Sequence, residues 1–151
     1  MVVDNVAVAI DCGTPWTANR VLDYLNKNRL KLEYIFITHS HFDHVMGTNR
    51  FKERIETRVM AHTRSKRGDV KVRDGDIIDA LDSQLSFLVT YTGIHKADHV
   101  WYYEKNNRLF FIGDYLPTPV ELKTLRERHG AEPEIILPGH GSPARLPNLV
   151  F

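Results

Sequence analysis

The stretch Thr38-His-Ser-His-Phe-Asp-His44 carries three imidazoles and a carboxylate within six positions, at His39, His41, Asp43 and His44. Neutral imidazole is the commonest metal ligand, and globular chains rarely crowd so many without a metal. In an extended loop, His39 and His41 point to the same side and can share one ion. Asp43 and His44 stand at a predicted helix start and reach a different point. The motif therefore predicts two metal ions rather than a His-rich surface turn.

Other apolar runs also end in acids or histidines. Residues 7–13 read Ala-Val-Ala-Ile-Asp-Cys-Gly, residues 109–114 read Leu-Phe-Phe-Ile-Gly-Asp, and residues 136–141 read Ile-Leu-Pro-Gly-His-Gly. A further segment, 90–99, contains two histidines. Positions where a strand meets a turn are where an α/β sandwich exposes side chains to a site. The candidates added in this way are Asp11, His95, His99, Asp114 and His140.

The first half of the chain alternates strand and helix. Apolar runs predict strands at 6–10, 34–38 and 57–61. One helix is predicted from Thr14 and Pro15 to about Asn28. A second opens at Asp43 and His44, carries Val45 and Met46, and reaches Phe51 at its furthest extent. This alternation is typical of parallel strands with covered faces.

The second half predicts antiparallel strands that begin with a hairpin. The segments are 70–72 and 77–78 for the hairpin, then 85–91, 100–103 and 109–112. Thr118-Pro-Val-Glu121 has the N-cap, proline and capping-box glutamate of a helix start, and Gly130 is the predicted end. A last strand, 135–137, leads to His140.

With these blocks in place, the sequence resembles the metallo-β-lactamase superfamily along nearly its whole length. The resemblance implies an α/β fold (α+β in some schemes), the αββα sandwich in a trimmed version, as a single domain over residues 1–151. It implies that His39, His41 and His95 bind a first metal, that Asp43, His44 and His140 bind a second, and that Asp114 bridges them. Asp11 matches the family's acid that supports the ligand loop. Two divalent ions are expected, zinc before iron or manganese.

The chain departs from the family pattern near its third histidine. Residues 92–96 read Thr-Gly-Ile-His-Lys where the family usually has Thr-Pro-Gly-His-Thr, and Asp98 precedes His99 where many members have Gly. Only nine residues precede Ile10, so one or two leading strands of the family are expected to be missing. The resulting sheet edge predicts a homodimer that covers it.

The implied chemistry is hydrolysis of an ester, thioester or lactone by a metal-bridging hydroxide. A zinc-bound water can have its pKa lowered to about 7, so no Ser or Cys nucleophile is needed. The candidate catalytic residues are Asp43, His99 and Tyr115. His99 or Tyr115 could supply a proton, although a buried structural histidine and a packing tyrosine are the favoured interpretations.

The resemblance also narrows the substrate class. Asp114 stands where β-lactamases of the family that use a cysteine have that residue, which argues against a true β-lactamase. The ligand set matches the glyoxalase-II-like thioesterases. Their helical C-terminal region, which helps bind glutathione, has no counterpart in the 11 residues after His140, and this argues against a glutathione thioester.

Three alternatives stay open. A phosphodiesterase or nuclease would use the basic segment 50–73, where nine Lys or Arg face three acids, although a solvated surface is the favoured interpretation. A mononuclear iron enzyme similar to the persulfide dioxygenases would use some of the same ligands. A metal-binding protein without turnover is the third.

Composition adds general limits. With 151 residues, a net charge of +1 and one cysteine, the chain has the size of one domain and no disulfide framework. Cys12 is predicted to be a small buried residue rather than a nucleophile. No apolar run is long enough for a membrane span, and no secretion signal is apparent, so the expectation is a cytoplasmic protein with a small-molecule substrate.

Overall fold

The computed structural model describes residues 1–146. It divides into two compact units, Met1–Val72 and Arg73–Phe151. The first unit contains a five-stranded sheet and the second a six-stranded sheet, and both units carry helices. That residues 1–151 form a single domain stays a prediction. In the described part of the chain, no helix combines the length and the hydropathy that a membrane crossing requires.

The first unit alternates strands and helices as predicted. Its elements are β1 (Val2–Val3), β2 (Val6–Ile10), α1 (Pro15–Lys27), β3 (Lys31–Phe36), α2 (Phe42–Val45), α3 (Thr48–Lys52), β4 (Arg58–His62) and β5 (Val70–Val72). The sheet order is β1-β2-β3-β4-β5. Strands β2 to β5 run parallel, and β1 pairs antiparallel with β2. The carboxyl ends of the parallel strands therefore meet at one edge, which is where the ligand loop begins.

Helix α1 begins and ends where the sequence predicts. The Thr14 hydroxyl accepts the Thr17 N–H at the N-cap, Pro15 follows as the first helical residue, and Asn28 is the C-cap. Ala18 and Leu25 are buried in the core of this unit. Because these apolar positions recur at helical spacing, one face of the helix is buried and the other stays exposed.

The predicted extension of the second helix to Phe51 is wrong, because the chain breaks at Gly47 into α2 and α3. A Cβ added at Gly47 would lie 2.2 Å from the Cys12 carbonyl oxygen. The Gly47 N–H also donates to the Gly13 carbonyl over 2.8 Å. Glycine is required here by this close approach, which holds the segment that carries the ligands against the turn after β2.

The second unit is mostly antiparallel. Its elements are β6 (Ile77–Ala80), β7 (Leu85–Tyr91), β8 (Val100–Glu104), β9 (Leu109–Gly113), α4 (Pro119–His129), β10 (Ile135–Pro138) and β11 (Ala144–Arg145). The sheet order is β11-β10-β9-β8-β7-β6, and β10 runs parallel to β9. The predicted capping box of Thr118 and Glu121 is present, and Gly130 ends α4 with a φ of 61°. Leu122 and Leu125 pack α4 onto this sheet.

The predicted hairpin over 70–78 is wrong. Val70–Val72 pairs parallel with β4, whereas Ile77–Ala80 pairs antiparallel with β7 in the other sheet. The residues between them form a turn, in which the Arg73 N–H donates to Asp76 Oδ2 over 2.7 Å. An Asp-Gly turn looks the same in sequence whether the next strand returns to its own sheet or joins another.

Candidate metal centre

Asp11 anchors the ligand loop of the first unit. Its backbone is left-handed (φ 58°), a conformation that aspartate tolerates better than most residues. Its carboxylate accepts from the Thr38 N–H at 2.7 Å, the Thr38 hydroxyl at 2.8 Å and His44 Nδ1 at 2.7 Å. The end of β2 is thereby fastened to the loop after β3, as expected of an acid that supports metal ligands.

These hydrogen bonds also assign the protons of two histidines. The Thr38 hydroxyl donates to Asp11, so its oxygen is left to accept from His39 Nδ1, which lies 3.0 Å away. His44 Nδ1 donates directly to Asp11. Because a neutral imidazole carries one proton, Nε2 of both rings keeps a lone pair for a cation. Both rings are buried, with 1% and 3% of the residue exposed for His39 and His44.

His39 and His41 direct two nitrogens at one point. His39 Nε2 lies 3.0 Å from His41 Nδ1, and the two rings meet edge to face at 82°. Two nitrogens bound at 2.0–2.1 Å to one tetrahedral zinc are about 3.3 Å apart. The pair therefore fits the predicted sharing of one metal ion.

Asp43 and His44 form a second pair on α2. Asp43 Oδ2 is 3.8 Å from His44 Nε2. This separation exceeds an ordinary hydrogen bond and suits two ligands of one cation. The two short separations are compatible with two ligand pairs, and the binding of a separate ion by each pair stays a prediction.

The second unit brings its three predicted ligands together from separate segments. Asp114 follows β9 directly, and its Oδ2 is 3.8 Å from His95 Nε2 and 3.7 Å from His140 Nε2. The Gly139 N–H donates to the Gly113 carbonyl over 2.8 Å, which aligns the ends of β10 and β9 beside these residues. A carboxylate that lies between two imidazoles has the placement expected of a shared ligand.

His99 has the features of a structural histidine. It is fully buried, its Nδ1 lies 2.8 Å from the Thr92 hydroxyl, and its ring is 5.7 Å from that of His95. Burial, followed by the neighbouring His95, lowers the pKa of His99 from 6.5 to about 4. A neutral, enclosed imidazole is poorly suited to donate a proton at neutral pH.

Tyr115 is likewise held by its neighbours. Its ring stacks on Trp101 with centroids 5.6 Å apart, and its hydroxyl donates to Glu121 over 3.1 Å. Burial and the Glu121 carboxylate raise the pKa of Tyr115. These contacts favour the packing interpretation of this residue.

Cys12 is buried, as predicted. Its thiol donates to the His44 carbonyl over 3.1 Å, and burial raises its pKa to about 11. A thiol that stays protonated at neutral pH is a poor nucleophile.

The residue that sequence reasoning missed is Thr38. It is fully buried, and its hydroxyl hydrogen-bonds to both the Asp11 carboxylate and His39 Nδ1. The available signal was a hydroxyl residue directly before the first ligand, at the end of a buried strand. Threonine is common in strands, so its type alone did not distinguish it.

Comparisons with known proteins agree with the fold and the motif. The family model of the metallo-beta-lactamase superfamily matches residues 2–68. The structure of the BLEG-1 B3 metallo-beta-lactamase superposes with a TM-score of 0.76 over 94% of this chain and 84% of that chain, at 20% identity. The α/β class and the metallo-β-lactamase fold predicted from the sequence are therefore confirmed. The chain belongs to the metallo-β-lactamase superfamily.

Relatives of known activity lie in the same superfamily. The hydroxyacylglutathione hydrolase of Francisella tularensis subsp. novicida (strain U112) is 34% identical over 113 residues, and that of Methylobacterium nodulans is 38% identical over 105. These matches cover 73% and 67% of this chain but only 43% and 40% of the relatives, so the chain spans less than half of the length of each relative. The crystal structure of ETHE1 from Myxococcus xanthus is 25% identical, with a TM-score of 0.72 over 91% of this chain and 66% of that one.

Proposed function

We propose that the protein is a dinuclear metal-dependent hydrolase of an ester, thioester or lactone. The residues proposed to hold one ion would be His39, His41 and His95, and those proposed to hold the other would be Asp43, His44 and His140. Asp114 would be a ligand that both ions share. Such a pair of ions, zinc first, would supply a hydroxide near neutral pH and polarise the substrate carbonyl.

The carrying observation is the hydrogen-bond network of Asp11. It fixes the tautomers of His39 and His44 so that Nε2 of each ring has a lone pair. It also leaves His39 Nε2 and His41 Nδ1 3.0 Å apart. With the lone pair on His39 Nε2, the proton between the two nitrogens belongs to His41 Nδ1, and a cation bound at this point would replace that proton. The donor set and its spacing fit a metal ion.

The remaining candidate residues, Asp43, His99 and Tyr115, are proposed to position the nucleophile or to support the loops that carry ligands. Asp43 is proposed to act as a ligand that also orients the nucleophile. His99 supports the loop of His95 through Thr92, and Tyr115 follows the bridging carboxylate and is held by Glu121. The contacts of these two side chains favour positioning over proton transfer. The leaving group would then take its proton from water.

Two observations favour a thioester substrate: the names of the relatives and an exposed aromatic side chain next to His41 in the chain. Thioesters come first, because the two relatives described above are named hydroxyacylglutathione hydrolases. Phe42, which follows His41 in the chain, has 68% of its surface exposed, so core packing does not explain it. An exposed aromatic ring next to His41 suits the acyl part of a small substrate better than a phosphate backbone.

The basic segment 50–73 gives little support to the nuclease alternative. Lys52 pairs with Asp69, and the Lys71 ammonium donates to the carbonyls of Ser65 and Arg67. Arg50 donates to Asn19 and pairs with Glu53. Three of the nine cations are thus used inside the unit rather than presented to a polyanion.

Metal analysis combined with thioester turnover tests the proposal. Purified protein should contain two zinc ions per chain, lose turnover on treatment with a chelator, and regain it when zinc is restored. Variants that replace a proposed ligand, such as His41→Ala, should lose this turnover. Ser40→Ala is their matched control, because residue 40 lies between two proposed ligands without being one. A single iron per chain, or turnover that survives complete metal removal, would contradict it.

A homodimer and a cytoplasmic location also remain our predictions. Light scattering of the purified protein at micromolar concentration would test the dimer, with a monomer as the contrary result.

A further inference from the structure

A separate cavity lies within the second unit, between α4 and the end of β7. Its volume is about 190 Å³. The wall residues used in the argument are Thr90, Thr92, Ile94, Trp101, Leu125 and Arg128. None of them is among the proposed metal ligands.

Thr90 lines the cavity near the end of β7. The ladder between β6 and β7 ends at Ile77 and Leu88. Beyond it, Val89 still exchanges backbone hydrogen bonds with Asp76 and Gly75, and Asp74 Oδ1 accepts the Tyr91 N–H over 2.8 Å. The Thr90 hydroxyl oxygen is buried and has no hydrogen-bond partner among residues 1–146. Buried hydroxyls are nearly always hydrogen-bonded, so this one has unused capacity to bond a ligand.

The charged groups around the cavity differ in how they are used. Glu121 accepts from the Tyr115 hydroxyl and from the Thr118 N–H and hydroxyl, and Asp74 accepts from Tyr91. Both acids are thus engaged inside the unit. By contrast, no hydrogen bond or ion pair joins Arg128 to another residue in the described part of the chain.

Arg126, on the same helix, shows the contrasting situation. It forms an ion pair with Glu132 over 3.0 Å. A guanidinium presents a rigid fork of donors that matches a carboxylate in a bidentate pair. Arg128 is therefore the group most able to select a charged ligand, and the charge that it selects is negative.

The apolar wall sets the size and shape of that ligand. Trp101 and Leu125 are buried, and the Trp101 ring is held by its stack on Tyr115 and by its N–H bond to the Tyr115 carbonyl. A dry cavity of about 150 Å³ is enough to bind benzene. A cavity of about 190 Å³ fits one aromatic ring with a small polar group.

We propose that this cavity binds a small aromatic monocarboxylate. Its carboxylate would pair with Arg128, its ring would contact Trp101 and Leu125, and one of its oxygens would accept from the Thr90 hydroxyl. This ligand is proposed independently of the hydrolysis and of its metal ions.

Fluorescence of Trp101 tests the proposal directly. The chain has two tryptophans, so Trp16→Phe leaves Trp101 as the single reporter. Benzoate should change its emission saturably, and benzamide, which has the same size without the charge, should bind at least tenfold more weakly. Arg128→Gln should weaken benzoate binding at least tenfold, and the matched control Arg126→Gln should leave it unchanged.

Calorimetry measures benzoate binding without depending on tryptophan emission. Thr90→Val, which removes the hydroxyl at nearly constant volume, should lower the affinity for benzoate several-fold. Circular dichroism confirms the fold of each variant. The proposal is overturned if neither method detects saturable benzoate binding, if Arg126→Gln has the same effect as Arg128→Gln, or if benzylamine binds more tightly than benzoate, because then the acids would set the charge preference.

Discussion

The ligand set of the first unit and that of the second are built in different ways. In the first unit, four ligands come from one stretch of six residues, and Asp11 and Thr38 fix the tautomers of two of them. In the second unit, three ligands come from separate segments, and the His140 side chain is 66% exposed. The difference teaches that the first set is preorganised by the protein, whereas the second relies more on the metal to fix its geometry.

The largest expected effect comes from removing a ligand of the preorganised set. His41→Ala should lower zinc-dependent turnover by more than the roughly 100-fold that loss of an outer hydrogen-bond partner can cost. His140→Ala should be milder, lowering the metal-to-chain ratio from two toward one while the first ion is kept. Turnover and metal content of both variants provide the measurement. A more severe loss in His140→Ala than in His41→Ala would reverse the comparison.

An intermediate effect is expected when the hydrogen bonds that Asp11 and Thr38 make to the ligand histidines are removed and the ligands themselves are kept. Asp11→Asn places an amide where three donors now meet a carboxylate, so it should cost about 10–100-fold in zinc affinity, measured by competition with a chelator. Thr38→Val removes only the hydroxyl between Asp11 and His39 and should cost less.

Asp23→Asn, on the outer face of α1, is the matched control and should leave zinc affinity unchanged. If Asp11→Asn binds zinc as tightly as the parent protein, the tautomer argument fails. Circular dichroism separates that result from loss of fold.

The smallest effect concerns the packing that holds the first ligand loop. Gly47→Ala should lower the free energy of unfolding by about 1–3 kcal/mol, because its Cβ would collide with the Cys12 carbonyl. Gly130→Ala has open space around the added Cβ and should cost about 1–2 kcal/mol from its left-handed backbone alone. Urea unfolding measures both, and adding the metal should rescue Gly47→Ala more than Gly130→Ala. If metal restored the free energy of unfolding of both variants equally, the proposed support of the ligand loop by Gly47 would be contradicted.

The sequence predicted those features whose causes are local. Helix α1 has its cap, proline and apolar spacing within 14 residues, and the antiparallel strands β7, β8 and β9 are rich in apolar and aromatic residues. The His and Asp ligands were found because their residue types are costly to crowd without a metal. Asp11 was found through the superfamily pattern.

Features with long-range causes were missed. The break at Gly47 depends on the Cys12 carbonyl, which lies 35 positions earlier in the chain. The false hairpin arose because the turn at Arg73–Asp76 has the residues of a hairpin but leads to another sheet. The cavity near Thr90 is lined by residues from separate segments of the second unit, and no local residue pattern marks it.

The turn at Arg73–Asp76 also shapes how the protein can be rebuilt. Each sheet is encoded by one uninterrupted stretch, because every strand pairing in residues 1–146 joins partners on the same side of this turn. A gene divided there would yield two polypeptides, each with the sheet of its own unit and only part of the proposed ligands of each ion. If the proposed dinuclear site forms, mixing such halves would give a split reporter in which added zinc, rather than a covalent peptide bond, drives reassembly.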